Sequence, residues 1–549
     1  MLAQFAVWLE WLILLNGWGW GIRLLFGYKS NQDPVSSAIE QIWLNVLLGL
    51  AGLAWAGNAL SLFWQVDVMA HYAALLIGLP LFINFVFWIR KQPITWKPNL
   101  WLISCGLLVC LACLIKAAAP SLSYDLGLYY IQTIRWVEAY GVVPGLANLH
   151  GRFGFNSSWH TLVALLNNGV ASNSQYDGLN EFLLLGTSLF ALAKINRGGA
   201  AGAAAIVLLV IAPLLLVEFL GAPAADLPVI LVPYSVLLFI LSSEKITPFH
   251  SWVVLVLCVF VVTIKLSSLP FLLLPIGLFL VKQKRNPIVV AVAVSLLYLA
   301  PWLVRFYMLT GYWVYPVTAT GFSAPDWQVP PKILLNETED IKGFARYYLS
   351  DESYGKPLTY VQLSQLSFVK WIPLWASQRT VWEFSLLGFA ALAWGLTLKW
   401  LIRNKDSFVI WLIWGTATVW LLFWFFTAPS IRFSLGPIFM LLALGVYTIT
   451  RNKSNTHTSI LRNVTLGSCV AFLFVCRDTR AISQYWLFPS GWPIPKTVAM
   501  SGLNIVNVPI AGAAKEQCWD APLPCPNRPK KPVAQRGQNL SQGFKYLHP

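Results

Sequence analysis

The sequence predicts an all-α, polytopic bundle of about fourteen transmembrane helices, and three observations carry that expectation. Of 549 residues, 57% are hydrophobic and only 11% charged, too little polar surface to cover a water-soluble fold. Apolar stretches near the length of a bilayer crossing recur from one end to the other. Lys and Arg fall in short clusters between those stretches, as cytoplasmic connections require. The formal charge of +16 is therefore read as a positive-inside signature, and nucleic acid is not expected as a partner.

The expected spans are 4–26, 42–64, 69–89, 99–118, 180–196, 201–217, 227–242, 251–264, 269–281, 287–304, 383–402, 407–427, 433–450 and 460–477. The first run, Ala3 to Phe26, has no basic start and no small-residue cleavage site, so it reads as a retained span. Clusters at Arg23/Lys29, Arg90/Lys91/Lys97, Lys194/Arg197, Lys282/Lys284/Arg285, Arg403/Lys405 and Arg451/Lys453 mark one face. Parity puts both termini and the long segments 119–179, 305–382 and 478–549 on the other, non-cytoplasmic face. Residues 1–98 form an N-terminal helical region, 99–477 a transmembrane core, and 478–549 a small external tail with too few residues for a large core of its own, which is expected to pack on the transmembrane core. No repeat of fixed period is visible.

Segment 119–179 carries the most information. Leu128, Ile131, Ile134 and Val137 recur at helical spacing, with Gln132, Arg135 and Glu138 elsewhere, which predicts an amphipathic juxtamembrane helix ended by Gly141. Asp125 stands at its start, where an N-cap role and a functional role are both open. A second juxtamembrane helix is expected before the span near residue 180, since the apolar stretch up to Leu166 is too short to cross. His150, Arg152 and His160 precede it as polar groups suited to acceptor or phosphate contacts, or to ordinary loop hydrogen bonds. Glu218, Asp226, Lys265, Arg305 and Arg432 all fall on the non-cytoplasmic side. Ionisable groups at a membrane surface tend to be paired, snorkelling or functional. Lys265, Arg305 and Arg432 together suit a phosphate, because guanidinium offers a fork to phosphate oxygens and ammonium a compact charge.

Of eight cysteines, six lie in apolar stretches as small buried hydrophobes. Cys518 and Cys525 flank Trp519 to Pro524 in the polar tail, a spacing that a disulfide can close in an oxidising compartment. The aromatics Trp313, Tyr315, Trp327, Tyr347, Tyr348 and Tyr354 suit either sugar stacking or an interfacial belt. Asn156, Asn336, Asn463 and Asn539 begin glycosylation-type triplets and are read as chance matches.

Over residues 99–450 this layout resembles the GT-C superfamily of membrane glycosyltransferases, which use polyprenyl-phosphate-linked sugars. Asp125, Tyr129, Gly141 and Pro144 match the family's acidic first loop and juxtamembrane helix; Leu126 stands where many members have a second acidic residue. The resemblance implies transfer of a sugar, with inversion, to a glycan or lipid acceptor on the non-cytoplasmic face of an inner membrane. It implies Asp125 as base, with Asp226 or Glu218 orienting the acceptor or holding a divalent cation (Mg or Mn), and Tyr129, Arg152 and His160 beside the acceptor. Two further classes stay open: a polymerase or ligase of lipid-linked oligosaccharides, and a lipid or glycan transporter. Charges gathered at one membrane face, rather than at mid-span, favour the transferase.

Overall fold

The structure is a computed structural model, and it describes the chain outside residues 28–36, 93–98, 122, 170–177, 283–284, 350–358, 406, 452–457, 496–497, 500–505, 508–516, 526–532 and 548–549. Tyr354, Lys29, Lys97, Lys284 and Lys453 thus lie outside the described residues. The first four helices are α1 (Leu2–Leu25), α2 (Ala38–Leu60), α3 (Val68–Arg90) and α4 (Leu100–Ala118). The long segment after α4 holds α5 (Ile131–Tyr140) and α6 (Ser158–Leu165). Next come α7 (Gly178–Arg197), α8 (Gly199–Leu215), α9 (Asp226–Leu241), α10 (Pro248–Ile264), α11 (Leu273–Lys282) and α12 (Arg285–Thr310). The long segment after α12 holds α13 (Pro331–Arg346), α14 (Tyr360–Ser364) and α15 (Phe368–Ser377). Last are α16 (Val381–Arg403), α17 (Phe408–Thr427), α18 (Leu435–Thr450), α19 (Thr458–Val475) and α20 (Thr479–Ser483). Two small antiparallel pairs, β1 (Val498–Ala499) with β2 (Val506–Asn507) and β3 (Val533–Gln535) with β4 (Phe544–Tyr546), belong to the tail.

Every predicted apolar stretch is helical. Among the described residues, eight helices are long and apolar enough to cross a membrane: α2, α3, α4, α7, α12, α16, α17 and the run Ile431–Thr450 that contains α18. The apolar helices α8, α9 and α10, the run Leu266–Val281 around α11, and α19 are shorter. Burial sorts centre from rim. The apolar window of α7 is 83% buried and that of α2 72%, against 17% for α3 and for α12, so the last two present their side chains outward. The N-terminal helices approach closely through small residues: a Cβ on Gly17 would stand 2.0 Å from the Gly78 carbonyl oxygen, and one on Gly49 2.1 Å from that of Leu15.

Two basic residues assigned to the cytoplasmic clusters are instead buried in the bundle. Arg23 is fully buried and donates to Asn45 Oδ1 at 2.9 Å and Gln41 Oε1 at 2.6 Å. Lys194 is buried against Glu40, 2.9 Å away. A buried charge needs a counter-charge or hydrogen-bond acceptors, and α2 provides a carboxylate for Lys194 and two neutral amide oxygens for Arg23.

The N-terminus meets the start of the tail. The amide groups of Leu2 and Ala3 donate to the carbonyls of Trp486 and Leu487, each at 3.0 Å. The tail then covers the helix α5 and the turn before it. Cys518 and Cys525 are joined by a disulfide, and the loop they close lies on α5. Gln132 Nε2 donates to the carbonyls of Trp519 and Ala521 at 3.0 and 2.9 Å, Arg135 pairs with Asp520 at 2.8 Å, and Gln517 Nε2 reaches the Tyr124 carbonyl at 2.8 Å. The polar stripe of the amphipathic helix is therefore a dock for the tail. Phe544 of β4 closes the other end, donating its amide to the Pro144 carbonyl at 2.9 Å.

Gly127 permits this docking, because a Cβ there would lie 2.4 to 2.7 Å from atoms of the Trp519 indole. Gly127→Val is expected to expel that ring at a cost of about 1–3 kcal/mol. The amide of Trp519, which donates to the Gly127 carbonyl at 2.9 Å, should then lose protection in hydrogen exchange. Unchanged protection would refute this account of the docking.

Candidate functional site

The helix after α4 does not begin as a plain α-helix. Residues Leu126–Tyr130 form one π-helical turn, and α5 continues to Gly141, whose φ of 69° only glycine adopts freely. Asp125 precedes the π turn in right-handed helical geometry and its side chain caps nothing. The capping alternative is thus not realised. Its carboxylate instead lies 3.8 Å from Arg432 Nη1.

Four charged side chains from separate segments converge here. Asp226 is the first residue of α9, and Lys265 follows the last residue of α10. Their Oδ1 and Nζ atoms are 2.5 Å apart. Arg432 lies in the short 3-10 turn that leads into α18, where the fields of both Asp226 and Asp125 act on it. Phe433 supplies a common floor, with Lys265 Nζ 3.8 Å and Arg432 Cζ 4.8 Å from its ring centroid. Glu218, on the turn Val217–Phe219, stands near the same group; the charges of Arg432 and Asp226 act on it, yet its side chain is exposed.

The two acid–base pairs differ. Asp226 and Lys265 are locked together, so Asp226 serves as the partner of a cation and not as an open base. Asp125 and Arg432 make no hydrogen bond among the described residues, and Arg432 Nε is buried without an acceptor. Buried donors normally find acceptors, so this guanidinium is a prepared site for ligand oxygens.

Beside Asp125 stands an aromatic wall. Tyr129 and Tyr130 have ring centroids 4.5 Å apart, and His160 lies 4.8 Å from Tyr130. Arg152 covers the faces of Tyr129 and Phe155 at 5.9 and 5.4 Å and pairs with Glu337 at 3.4 Å. Burial, and then the charge of Asp125, raise the Tyr129 phenol above its ordinary range, so it stays a neutral donor. His150 does not join this group: its Nδ1 accepts from the Arg152 amide at 3.1 Å and shapes the loop. Of the aromatics expected from the second external segment, Tyr315 reaches the wall, 6.1 Å from Phe155. Trp313 stacks on Tyr307 at 5.1 Å, and Trp327 lies under Arg536 of the tail at 4.7 Å.

Arg305 is placed elsewhere. It is 2% exposed, its Nε donates to Asn156 Oδ1 at 3.0 Å, and its Nη1 donates to Ser61 Oγ. Asn156 is in turn held by reciprocal bonds with Trp302, 2.8 and 2.9 Å long. This is a bracket between α12, the end of α2 and the left-handed turn at Asn156, whose φ is 46°. It uses the fork that a phosphate clamp would need, and it buries the Asn156 amide that a glycan would need. Among the described residues, no group of three or more His, Cys, Asp or Glu side chains could hold a metal ion.

Reading the sequence alone missed Glu337, Phe433 and the seat of the tail loop on α5. Phe433 adjoins Arg432, but nothing in the sequence marks its ring as the floor for Lys265, 168 positions earlier in numbering.

The class these features define is a helical membrane bundle with a charge-balanced polar cluster where α9 begins and α10 ends. A family model described as a domain of unknown function, DUF8201, matches residues 1–439, and the chain belongs to that family. The match takes in Asp125, Asp226, Lys265 and Arg432 and stops before α19 and the disulfide loop. No curated protein and no solved structure matches the chain.

Two predictions follow from these placements. Arg305→Leu leaves Asn156 Oδ1 and Ser61 Oγ without their donor, at a cost of about 1–3 kcal/mol for each buried group, and should lower the unfolding temperature of the purified protein by several degrees. An unchanged midpoint would show that the bracket does not hold α12. Burial lowers the His160 pKa from 6.5 to about 4, against a smaller opposing effect of the Pro223 carbonyl. The unfolded chain takes up that proton near 6.5 while the folded one resists it. Stability is therefore complete above about 6.5 and falls as pH drops toward about 4. His160→Gln should flatten this slope in thermal unfolding across that window; an unaltered slope would place the acid sensitivity elsewhere.

Proposed function

We propose that the protein is a membrane glycosyltransferase that moves a sugar from a polyprenyl-phosphate donor to a glycan or lipid acceptor. The observation that carries this reading is the pairing of Asp125 with Arg432 at 3.8 Å, each without a side-chain hydrogen bond among the described residues, beside a second cation already held by Asp226. Such an opening offers an acceptor for a proton and donors for a phosphate in adjacent positions. Sugar transfer from a phosphate ester needs both of these groups.

In this mechanism the acceptor hydroxyl lies against Asp125. Its oxygen attacks the anomeric carbon as its proton passes to the Asp125 carboxylate. The bond from the anomeric carbon to the phosphate oxygen breaks on the opposite side, which inverts the centre, and the phosphate leaves with the electron pair. Arg432 and Lys265 take up its charge. A phosphate leaves without protonation, so a second carboxylic acid is not required, in contrast to glycoside hydrolysis. Asp226 keeps Lys265 in place. Tyr129, Phe155 and Tyr315 offer ring faces to the sugar, and Arg152, fixed by Glu337, offers hydrogen bonds to its hydroxyls.

The reading also assigns the site, both termini and the disulfide loop to the non-cytoplasmic face of an inner membrane, and all fourteen apolar helices to spans. The cluster lies at one end of the helices and not at their midpoints, which supports a transferase over a transporter.

The test is transfer of labelled sugar from a polyprenyl-phosphate donor pool in membranes bearing wild type or Asp125→Asn, at matched protein level and topology. The expected loss is about 10²–10⁴-fold, the usual contribution of a general base. Equal transfer by the variant would reject Asp125 as base. Polymerisation of a lipid-linked oligosaccharide without transfer from a monosaccharide donor would move the protein to the polymerase class.

A further inference from the structure

The far ends of α9 and α10, about 24 Å from Asp226 and Lys265 at about 1.5 Å per residue, frame a separate cavity that the proposed reaction does not use. Its volume is about 460 Å³, within the range of small-ligand sites. The last turn of α9, the start of α10, the start of α2 and the end of α7 enclose it, and Trp43, Phe190 and Phe239 are among its apolar walls.

Its polar lining is built and largely buried. Glu40 is 8% exposed; its Oε2 takes Lys194 Nζ at 2.9 Å and lies 4.0 Å from Arg197 Nη1. Lys194 is 3% exposed and also donates to Ser242 Oγ at 2.8 Å. His250 is held by Ser243 Oγ at 2.9 Å and Thr247 Oγ1 at 2.7 Å. The second carboxylate oxygen, Glu40 Oε1, is buried and has no hydrogen-bond partner among the described residues. A buried carboxylate oxygen left unpaired is costly, and since it can only accept, the group that completes it must donate. At the rim stand Arg197, 53% exposed, and the exposed Lys245 and Glu244.

The charges select among ligands. Three cations and two carboxylates line the space. A bare phosphate would meet both carboxylates, and a bare amine all three cations. A molecule with an ammonium and a phosphate satisfies both sets: the ammonium donates to Glu40 Oε1, and the phosphate meets Arg197 and Lys245. The cavity lies at the ends of spanning helices, where lipid headgroups reside, and its apolar walls continue toward the bundle. We infer that this cavity holds the headgroup of a membrane lipid that carries a primary amine and a phosphate, on the membrane face opposite the Asp125 site.

The test is native mass spectrometry of the full-length protein, purified in detergent and offered equal amounts of phosphoethanolamine, phosphocholine and phosphoglycerol lipids. A quaternary amine cannot donate a hydrogen bond and glycerol lacks the charge, so the first lipid should be retained about 10-fold or more above the others, as a charge-assisted hydrogen bond implies. Glu40→Gln should erase that preference. Arg197→Gln, at an exposed position that does not threaten folding, should weaken retention of the amine lipid as well. Equal retention of the three lipids by wild type, or a preference that survives Glu40→Gln, overturns the inference. If water-soluble phosphoethanolamine binds and its lipid does not, the ligand is a soluble one and the lipid assignment falls.

Discussion

Charge balance where α9 begins and α10 ends is the constraint on which the rest of the site depends. Two carboxylates and two cations meet where helices emerge from an apolar bundle, and an unpaired charge in such a place is costly. Asp226 with Lys265 at 2.5 Å closes one pair and thereby ties the start of α9 to the end of α10. That tie fixes Phe433 beneath Lys265, and Phe433 sets the position of its neighbour Arg432. Asp125 can then stand near Arg432 without having to neutralise the whole group, and this leaves its carboxylate open.

The described residues between α4 and α7 bury most of their apolar side chains in the main core and not in one of their own, so their geometry is borrowed from both sides. Beneath it, Gly141 lets α5 end against the carbonyls of Ser61 and Trp64, each 2.5 Å from where a Cβ would sit. Above it, the disulfide loop grips Tyr124, Gly127 and Gln132, the residues on either side of Asp125 and one turn beyond. The π turn between them carries Tyr129 and Tyr130, both buried, toward His160. The stretch from Tyr124 to Arg135 is in this way held by residues 517–521 of the tail on one side, while the end of α5 rests against the end of α2 on the other.

Much of the fold could be read from the sequence, because the length of an apolar run is a local property and the bilayer sets its scale. All fourteen stretches are helices, and the amphipathic pattern around Ile131 and Ile134 gave α5 within a few residues. What could not be read depends on partners distant in the chain. Gln132 and Arg135 look like a solvated stripe until Trp519 to Ala521 are placed on them. Arg23 and Lys194 carry the same local signal as surface cations, and only Gln41, Asn45 and Glu40 reveal that they are interior. Arg305 and Arg432 are alike in sequence, each a basic residue near a helix end on the same face. Asn156 and Ser61 separate them.

That last contrast points to a rule for sorting charged residues in a membrane protein. Arg305, with Nε and Nη1 both donated to neutral partners and a side chain 2% exposed, has little left to offer a ligand and is part of the frame. Arg432, 35% exposed with a buried Nε that no acceptor meets, has most of its donors unspent. The same distinction divides Asp226 from Asp125. Burial alone does not identify a functional charge, since the most buried arginine of the pair is the structural one. The informative quantity is the number of hydrogen bonds a group can make minus the number it does make, taken where water has limited access. By that measure the capacity for chemistry at this end of the bundle rests in Asp125 and Arg432, and Lys265 and Asp226 hold them where they can act together.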